Sequence, residues 1–380
     1  MSAAEGPPPT PPPAPAAAAP LVAAPVVQPV ASAGEPRQLS HEAVTWAFRL
    51  LIGREPAGEE EVARHRAVGD LEKLRVYFAN TWEFQDFFDR VGLTGKPGYR
   101  LPLFLLRPPV DPAIPFRFVE PDLEAPVCQF CTHAQFNDPA FLEIIQALGL
   151  KPAASRQQWE QAYAVSVLAT AGMIAPGRRG LGFGVGRERI PSLLASRGAQ
   201  VLATDRPEES ENPQRRIRMQ AAALFYPDIV HLAEYEALVD YAPLDMNAVP
   251  AELDGQFDFC WSVSALDRLG IREKALAFID ASLRVLKPGG IAVHTFEFNI
   301  SSNQVTVNNS DVTALRRQDI ERLAMSLREA GHSIDPLNFH PGLDPLDEEV
   351  QSGPGTPVRP KRRYGAHVLT PFGLVMRKAG

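Results

Sequence analysis

The chain has 380 residues, 45% hydrophobic and 22% charged, with a formal net charge of −7. That length allows two or three domains and a large core. The acidic balance argues against a scaffold that holds nucleic acid through Lys and Arg. No stretch approaches the roughly 18–20 continuous apolar residues of a membrane span, and three cysteines are too few for a disulfide framework.

The first 36 residues contain 11 prolines and 11 alanines, with Glu5 and Glu35 as their charges. Such a composition cannot offset the entropy of ordering, so residues 1–37 are expected to form a disordered or polyproline II arm. The chain begins MSAAEG, without a basic leader, and Pro15, Pro20, Pro25 and Pro29 interrupt its Ala/Val-rich stretch. No secretory signal and a cytoplasmic location are therefore expected. Cys128 and Cys131 form a lone CxxC with no second pair at zinc-finger spacing. A reduced, incidental pair is expected, with no metal site.

Residues 38–95 have the pattern of a small helical module. Ser40 is a plausible N-cap, and Val44, Ala47, Phe48, Leu51 and Ile52 recur at amphipathic spacing. A turn at GREPAGEE separates this helix from a second over 59–68. A third is predicted from Leu71 to about Arg90, with a break near Trp82. Phe84, Phe87 and Phe88 are expected in its core. The strings AFRLLIGREPAGEEE and NTWEFQDFF resemble a helical module of bacterial surface and glycan-related proteins, with Thr81 where that family has Ser. That resemblance implies a possible protein partner for residues 38–95, while the residues themselves argue for a packing unit. The proline-rich stretch that follows suggests a connector and lead-in helix over 96–155, with helical periodicity at 139–148 and again at 156–174.

The chemistry begins at GRRGLGFGVGRERIPSLLASRGAQVLATD, residues 177–205. A short strand ending at Leu181, a turn bearing Gly182, Gly184 and Gly186, a helix over 189–197 and a second strand ending in Asp205 follow in order. Glycines are needed where a strand turns sharply into a helix and a ligand approaches the backbone. An acid at the tip of the second strand suits ribose hydroxyls. A dinucleotide fingerprint would need glycine at position 187, which is Arg187, so a nicotinamide oxidoreductase is disfavoured.

The G-x-G-x-G loop resembles motif I of class I S-adenosylmethionine-dependent methyltransferases. The resemblance extends to a fourth strand at Phe257–Ser262, to LKPGG at 286–290 with a fifth strand at 291–298, and to a closing helix and two strands. It implies an α/β, Rossmann-like sheet of parallel strands with one antiparallel final strand, over residues 156–380. The motifs LGFGVGRE, LDMN, WSVSALDRLG and GGIAVHTFEFN are similar to one bacterial subfamily, in which Glu-His stands where this chain has Asp267-Arg268 and Thr where it has Phe296.

The resemblance implies S-adenosylmethionine as cofactor and a small-molecule or glycan acceptor. It places Gly182, Gly184, Gly186 and Asp205 at the cofactor, with Asp245 and Met246 in the loop that contacts adenine and Ser262 at the fourth strand's tip. Asp245 also suits a turn beside Asn247, and Met246 also suits packing. Glu297, His294 and Asp267 are the candidate catalytic groups for removing a proton from a hydroxyl acceptor. His294 and Glu297 fall on opposite faces of a regular strand, which favours Glu297 and leaves His294 open to a buried structural role. Asp267 could be base, metal ligand or helix cap. The run at 359–363 suggests a solvated loop or a clamp for an anionic acceptor. The expected reaction is O-methylation of a sugar or glycan intermediate; the alternative is a methyltransferase-fold binding protein that has lost its activity.

Overall fold

The computed structural model describes residues 39–380, except 53, 80, 82, 85–100, 208–211, 310–311 and 353–355. The Pro/Ala-rich arm, Trp82, Phe87, Phe88 and the end of the third expected helix lie outside the described residues. The strands are β1 Phe116–Arg117, β2 Cys128–Phe130, β3 Arg179–Phe183, β4 Gln200–Asp205, β5 Val239–Pro243, β6 Phe257–Ser262, β7 Leu286–Asn299, β8 Ser333–Ile334, β9 Leu337–Asn338, β10 Val350–Gln351, β11 Lys361–Tyr364 and β12 His367–Arg377. The helices are α1 His41–Ala47, α2 Glu59–Arg66, α3 Leu71–Ala79, α4 Pro139–Ala147, α5 Arg156–Thr170, α6 Ile190–Ser196, α7 Pro213–Ala223, α8 Leu232–Leu238, α9 Arg272–Arg284 and α10 Arg317–Glu329.

Across the main sheet the order is β5-β4-β3-β6-β7-β12. Strands β3 to β7 pair in parallel, and β12 runs antiparallel along β7 from Leu369↔Asn299 to Arg377↔Ile291. This is the Rossmann-like sheet expected for class I methyltransferases. The chain lays down β3, β4 and β5 outward, then returns to set β6 on the other side of β3. The order therefore reverses between β3 and β4 on one side and β6 on the other, and ligands of open α/β sheets sit at the carboxyl ends there.

Beyond β12 the edge is shared. β8 pairs with its Met376–Arg377 end, and β2 pairs at Phe372↔Phe130 and Gly373↔Gln129. β9 lies beside β2, and β1 beside β9. The first of the two closing strands expected after the last helix is thus two short strands, β8 and β9, on different neighbours, and the connector region supplies β1 and β2 to the same sheet. Cys128 and Cys131 are buried free thiols, and burial pushes both well up from the ordinary thiol range. The Cys128 sulfur accepts the Val375 amide at 3.3 Å, a packing role.

Two elements depart from expectation for clear reasons. β7 starts at Leu286, so KPGG is a bulge inside the strand and not a turn before it: pairing jumps from Phe257↔Leu286 to Phe259↔Ile291. Gly289 has φ +74°, and a Cβ on Gly290 would meet the Asp258 carbonyl at 2.9 Å. The sequence does not signal β5, because its five residues VDYAP lie at the sheet edge, one buried, two half-buried and two exposed, without a regular alternation.

In the helical module, the Ser40 hydroxyl accepts the Ala43 amide at 3.0 Å, as an N-cap should. The first helix turns into a π-helical stretch at Phe48–Ile52, and Phe48, Ile52, Val62, Leu74 and Phe78 form a separate small core that Phe84 partly covers. Arg54, in the LIGREP string, pairs with Glu61 and Glu83 at 2.9 Å each, and its hydrogen bonds hold the Glu61 carboxyl down to about 2. These motif residues tie the module together.

Candidate active site

The glycine loop follows β3 directly. Gly182 lies inside the strand: a Cβ there would stand 2.4 Å from the Trp261 ring and 2.6 Å from Val185. Close packing alone therefore requires glycine at this position. Gly184 (φ +62°) and Gly186 (φ +53°) turn the chain. A Cβ at Gly184 would meet Ala265 at 2.9 Å and the Met246 sulfur at 3.3 Å, so both residues wall this side of the loop. A Cβ at Gly186 would meet nothing within 4 Å, which leaves the backbone there open to a ligand.

Asp205 ends β4 opposite that open backbone. Its Oδ2 accepts the Gly186 amide at 3.0 Å, and its Oδ1 accepts the Arg206 amide at 2.7 Å. The carboxylate is fixed by these bonds and half-buried at the carboxyl end of β4. A loop open at Gly186, an anchored carboxylate and an apolar wall of Met246 and Ala265 fit S-adenosylmethionine. Asp205 would take the ribose hydroxyls and Met246 the face of the adenine. Asp245 spends Oδ1 on the Asn247 amide at 2.9 Å and on its Nδ2 at 3.2 Å, capping the short 3-10 turn Met246–Ala248. The turn role anticipated for Asp245 is the one its geometry shows.

On the other flank of the crevice stands the turn after β6. Ser264 has φ +49°, the one positive φ among described non-glycine residues. Its amide donates to Thr295 Oγ1 at 3.1 Å, and its hydroxyl donates to the Glu160 carboxylate of α5. Glu160 is buried, and that burial pushes its carboxyl up to about 8, with Glu297 and Asp267 adding repulsion. Asp267 follows in the turn Leu266–Arg268 and is also buried. Burial first, then the neighbouring Glu297 charge, raises its carboxyl to about 6. Its Oδ1 is buried without a hydrogen-bond partner.

Strand alternation sorts the β7 candidates. Thr295 and Glu297 share the face toward α5. Glu297 Oε1 accepts from Arg362 at 2.9 Å (Nε) and 2.8 Å (Nη2), while its Oε2 is buried and unpartnered. His294 points the other way. Its Nδ1 meets the Ser262 hydroxyl at 2.8 Å and its Nε2 the Ser282 hydroxyl of α9 at 2.9 Å, with no exposed surface. Burial lowers its pKa to about 3, so it stays neutral. His294 is therefore a structural residue between sheet and helix, and Ser262 is its partner, not a cofactor ligand. His294 thus takes the buried structural role that the sequence left open instead of the catalytic one, and Ser262 departs from its expected place at the cofactor.

The residues that sequence reasoning missed are Glu160, Ser264, Thr295 and Arg362. Glu160 sits in α5, whose apolar periodicity hides a single inward acid. Arg362 belongs to the basic run at 359–363, where Lys361 is also buried and Arg359 pairs with Glu349 at 2.6 Å. Arg359, Lys361 and Arg362 are thus partnered by the protein itself, and the run enters β11. Among the described residues no group of three or more His, Cys, Asp or Glu is placed to hold a metal ion.

Residues 181–294 match the family model described as a methyltransferase domain. No curated protein matches the chain. Among solved structures, the chain is similar to a Methanosarcina mazei protein described as a SAM-dependent methyltransferase (15% identity, 56% of this chain and 97% of that one, TM-score 0.37). It is also similar to Burkholderia thailandensis 1,6-didemethyltoxoflavin-N1-methyltransferase, solved with bound 1,6-didemethyltoxoflavin and S-adenosylhomocysteine (15% identity, 60% and 80%, TM-score 0.33). A third is Haemonchus contortus phosphoethanolamine N-methyltransferase 2 in complex with S-adenosyl-L-methionine (21% identity, 51% and 41%, TM-score 0.32). The chain carries a methyltransferase domain with the Rossmann-like class I fold: the family match covers the segment from β3 to the middle of β7, which holds the glycine loop, Asp205 and Asp267.

Proposed function

We propose that this S-adenosylmethionine-dependent methyltransferase transfers its methyl group to a hydroxyl oxygen of a sugar or glycan intermediate. The observation that carries the reading is the Asp267 carboxyl. It lies two residues beyond Ala265, which abuts the glycine loop, and its Oδ1 is buried without a partner. A carboxyl raised to about 6 is ionised at neutral pH and retains enough basicity to take a proton from a hydroxyl. The cofactor supplies a methyl on a sulfonium; the protein positions the acceptor oxygen in line and removes its proton. Such positioning can account for up to about 7–11 kcal/mol of the barrier.

The polar groups left open beside Asp267 support a hydroxyl-rich acceptor. Asp267 Oδ1 and Glu297 Oε2 are both hydrogen-bond acceptors without donors, and an unmet buried oxygen costs about 1–3 kcal/mol. A polyol brings O–H donors to both. Three buried free cysteines suit a reducing compartment, in keeping with action in the cytosol. The helical module, with Trp46 and Leu50 exposed, suits contact with a partner protein.

Two experiments test this reading. Calorimetric titration with S-adenosylhomocysteine should show micromolar binding that falls about 10–100-fold in Asp205→Ala, the loss expected for hydrogen bonds to a charged acceptor. A screen of nucleotide-sugars, sugar phosphates and free glycans with methyl-labelled cofactor should then yield a methyl ether. Transfer to amines alone would replace the acceptor class. Cofactor binding with no transfer to any acceptor would favour the inactive binding protein.

A further inference from the structure

Glu188 stands two residues after Gly186, at the end of the glycine loop, and nothing in the transfer described above uses it. Its side chain is only 8% exposed. Oε1 accepts the Trp261 indole N–H at 3.4 Å, and Trp261 is itself fully buried in β6 against Gly182. Oε2 is buried with no partner. A buried, unmatched carboxylate oxygen requires an explanation, because native proteins pair almost all such atoms.

The two carboxyls nearest it in charge, Asp205 and Glu160, are already engaged. Both oxygens of Asp205 hold backbone amides, and Glu160 receives the Ser264 hydroxyl. Glu188 lies within electrostatic reach of both. A buried carboxyl with an unmatched oxygen is a group that an incoming cation can ionise and pair with. The cofactor carries two cationic groups: a sulfonium, which must face the methyl acceptor, and a primary ammonium at the end of its amino-acid part.

We infer that Glu188 is the receptor for the ammonium of the cofactor's amino-acid part, held by Trp261 at one oxygen and offering the other to the ligand. The inference rests on the cofactor reading and adds a residue to it. It also has a proton signature. Burial pushes the Glu188 carboxyl well above the ordinary range, with Asp205 and Glu160 adding repulsion, which favours its neutral form in the free protein. An arriving ammonium favours the carboxylate, and the carboxyl proton leaves to solvent as the ion pair forms.

The test is calorimetry on the full chain with two ligands, S-adenosylhomocysteine and 5′-methylthioadenosine, which lacks the amino-acid part. Each is titrated near pH 7 in buffers of different ionisation enthalpy, for the native protein and for Glu188→Gln. The expected results are a loss of about 10–100-fold for S-adenosylhomocysteine in the variant and an affinity for methylthioadenosine that changes less than about twofold. The native protein should release more protons with the first ligand than with the second. Unchanged S-adenosylhomocysteine affinity in the variant, or equal losses for both ligands, overturns the inference and leaves the cofactor reading standing. The proton count on the native protein decides the matter if the variant does not fold: equal release with both ligands overturns it. Failure of the native protein to bind either ligand removes the cofactor reading itself.

Discussion

The Ser264 hydroxyl donates to the Glu160 carboxylate, and this bond fastens the turn after β6 to the helix that precedes β3. It acts on a serine at φ +49°, a conformation that costs an L-residue roughly 1–2 kcal/mol. The Ser264 amide is held as well, by Thr295 Oγ1. The two bonds offset the strain and set Ala265 against the glycine loop. Ser264→Ala should lower stability by about 1–3 kcal/mol, since it leaves a buried carboxyl oxygen unmet. Ser264→Gly should cost less, because glycine adopts positive φ freely. Urea unfolding midpoints separate the two; equal losses would mean that the turn is not strained.

The three loop glycines should respond differently to alanine. Gly182→Ala drives a methyl to 2.4 Å from the Trp261 ring, inside a strand with no room to yield. Overpacking of this kind costs about 1–3 kcal/mol or more, so the variant should unfold at distinctly lower urea. Gly186→Ala meets no neighbouring atom, and its cost is that of placing alanine at φ +53°. Its stability should fall by about 1–2 kcal/mol, while its affinity for S-adenosylhomocysteine falls more than tenfold. A Gly186→Ala protein that binds the ligand normally would show that nothing approaches the backbone there.

Asp267 makes a kinetic prediction. The base must be ionised to accept a proton, so kcat/KM with the hydroxyl acceptor should rise as pH increases through about 6, the value to which burial and Glu297 raise it. Asp267→Asn should remove that limb and lower kcat by about a hundred- to ten-thousand-fold, with S-adenosylhomocysteine affinity unchanged. A pH profile kept by the asparagine variant would assign the proton transfer to another group, and Glu297, whose Oε2 is open, would be next to examine.

The sheet and the cofactor side of the crevice were legible because they depend on short-range signals. Glycines at fixed spacing, an acid at a strand tip and Pro-Gly-Gly after a helix each constrain backbone geometry locally. Gly182 shows where that reading stops: its need for glycine comes from Trp261, 79 positions downstream, a contact made only when β6 pairs with β3. The acceptor side depends almost wholly on such contacts. Glu160 meets Ser264 across 104 positions and Arg362 meets Glu297 across 65, so no local pattern marks either pair. Alternation along β7 did separate His294 from Glu297, but parity alone could not show which face looked toward the crevice.

His294 now makes the opposite prediction to a catalytic histidine. It is fully buried, hydrogen-bonded at both nitrogens by Ser262 and Ser282, and set against the Phe278 ring at 5.5 Å. Burial lowers its pKa from 6.5 to about 3. Between those values the unfolded chain binds a proton that the folded chain refuses, so the stability from neutral His294 is complete above about pH 6.5 and is lost progressively as pH falls toward 3. His294→Gln should be less stable than the native protein by about 1–3 kcal/mol at pH 7.5, through lost packing and one unmatched hydroxyl. Glutamine carries no titrating group, so the gap should narrow as pH falls below about 6.5. Cofactor affinity, measured by the same titration, should not change. A variant with native stability and abolished S-adenosylhomocysteine binding would return His294 to the active site.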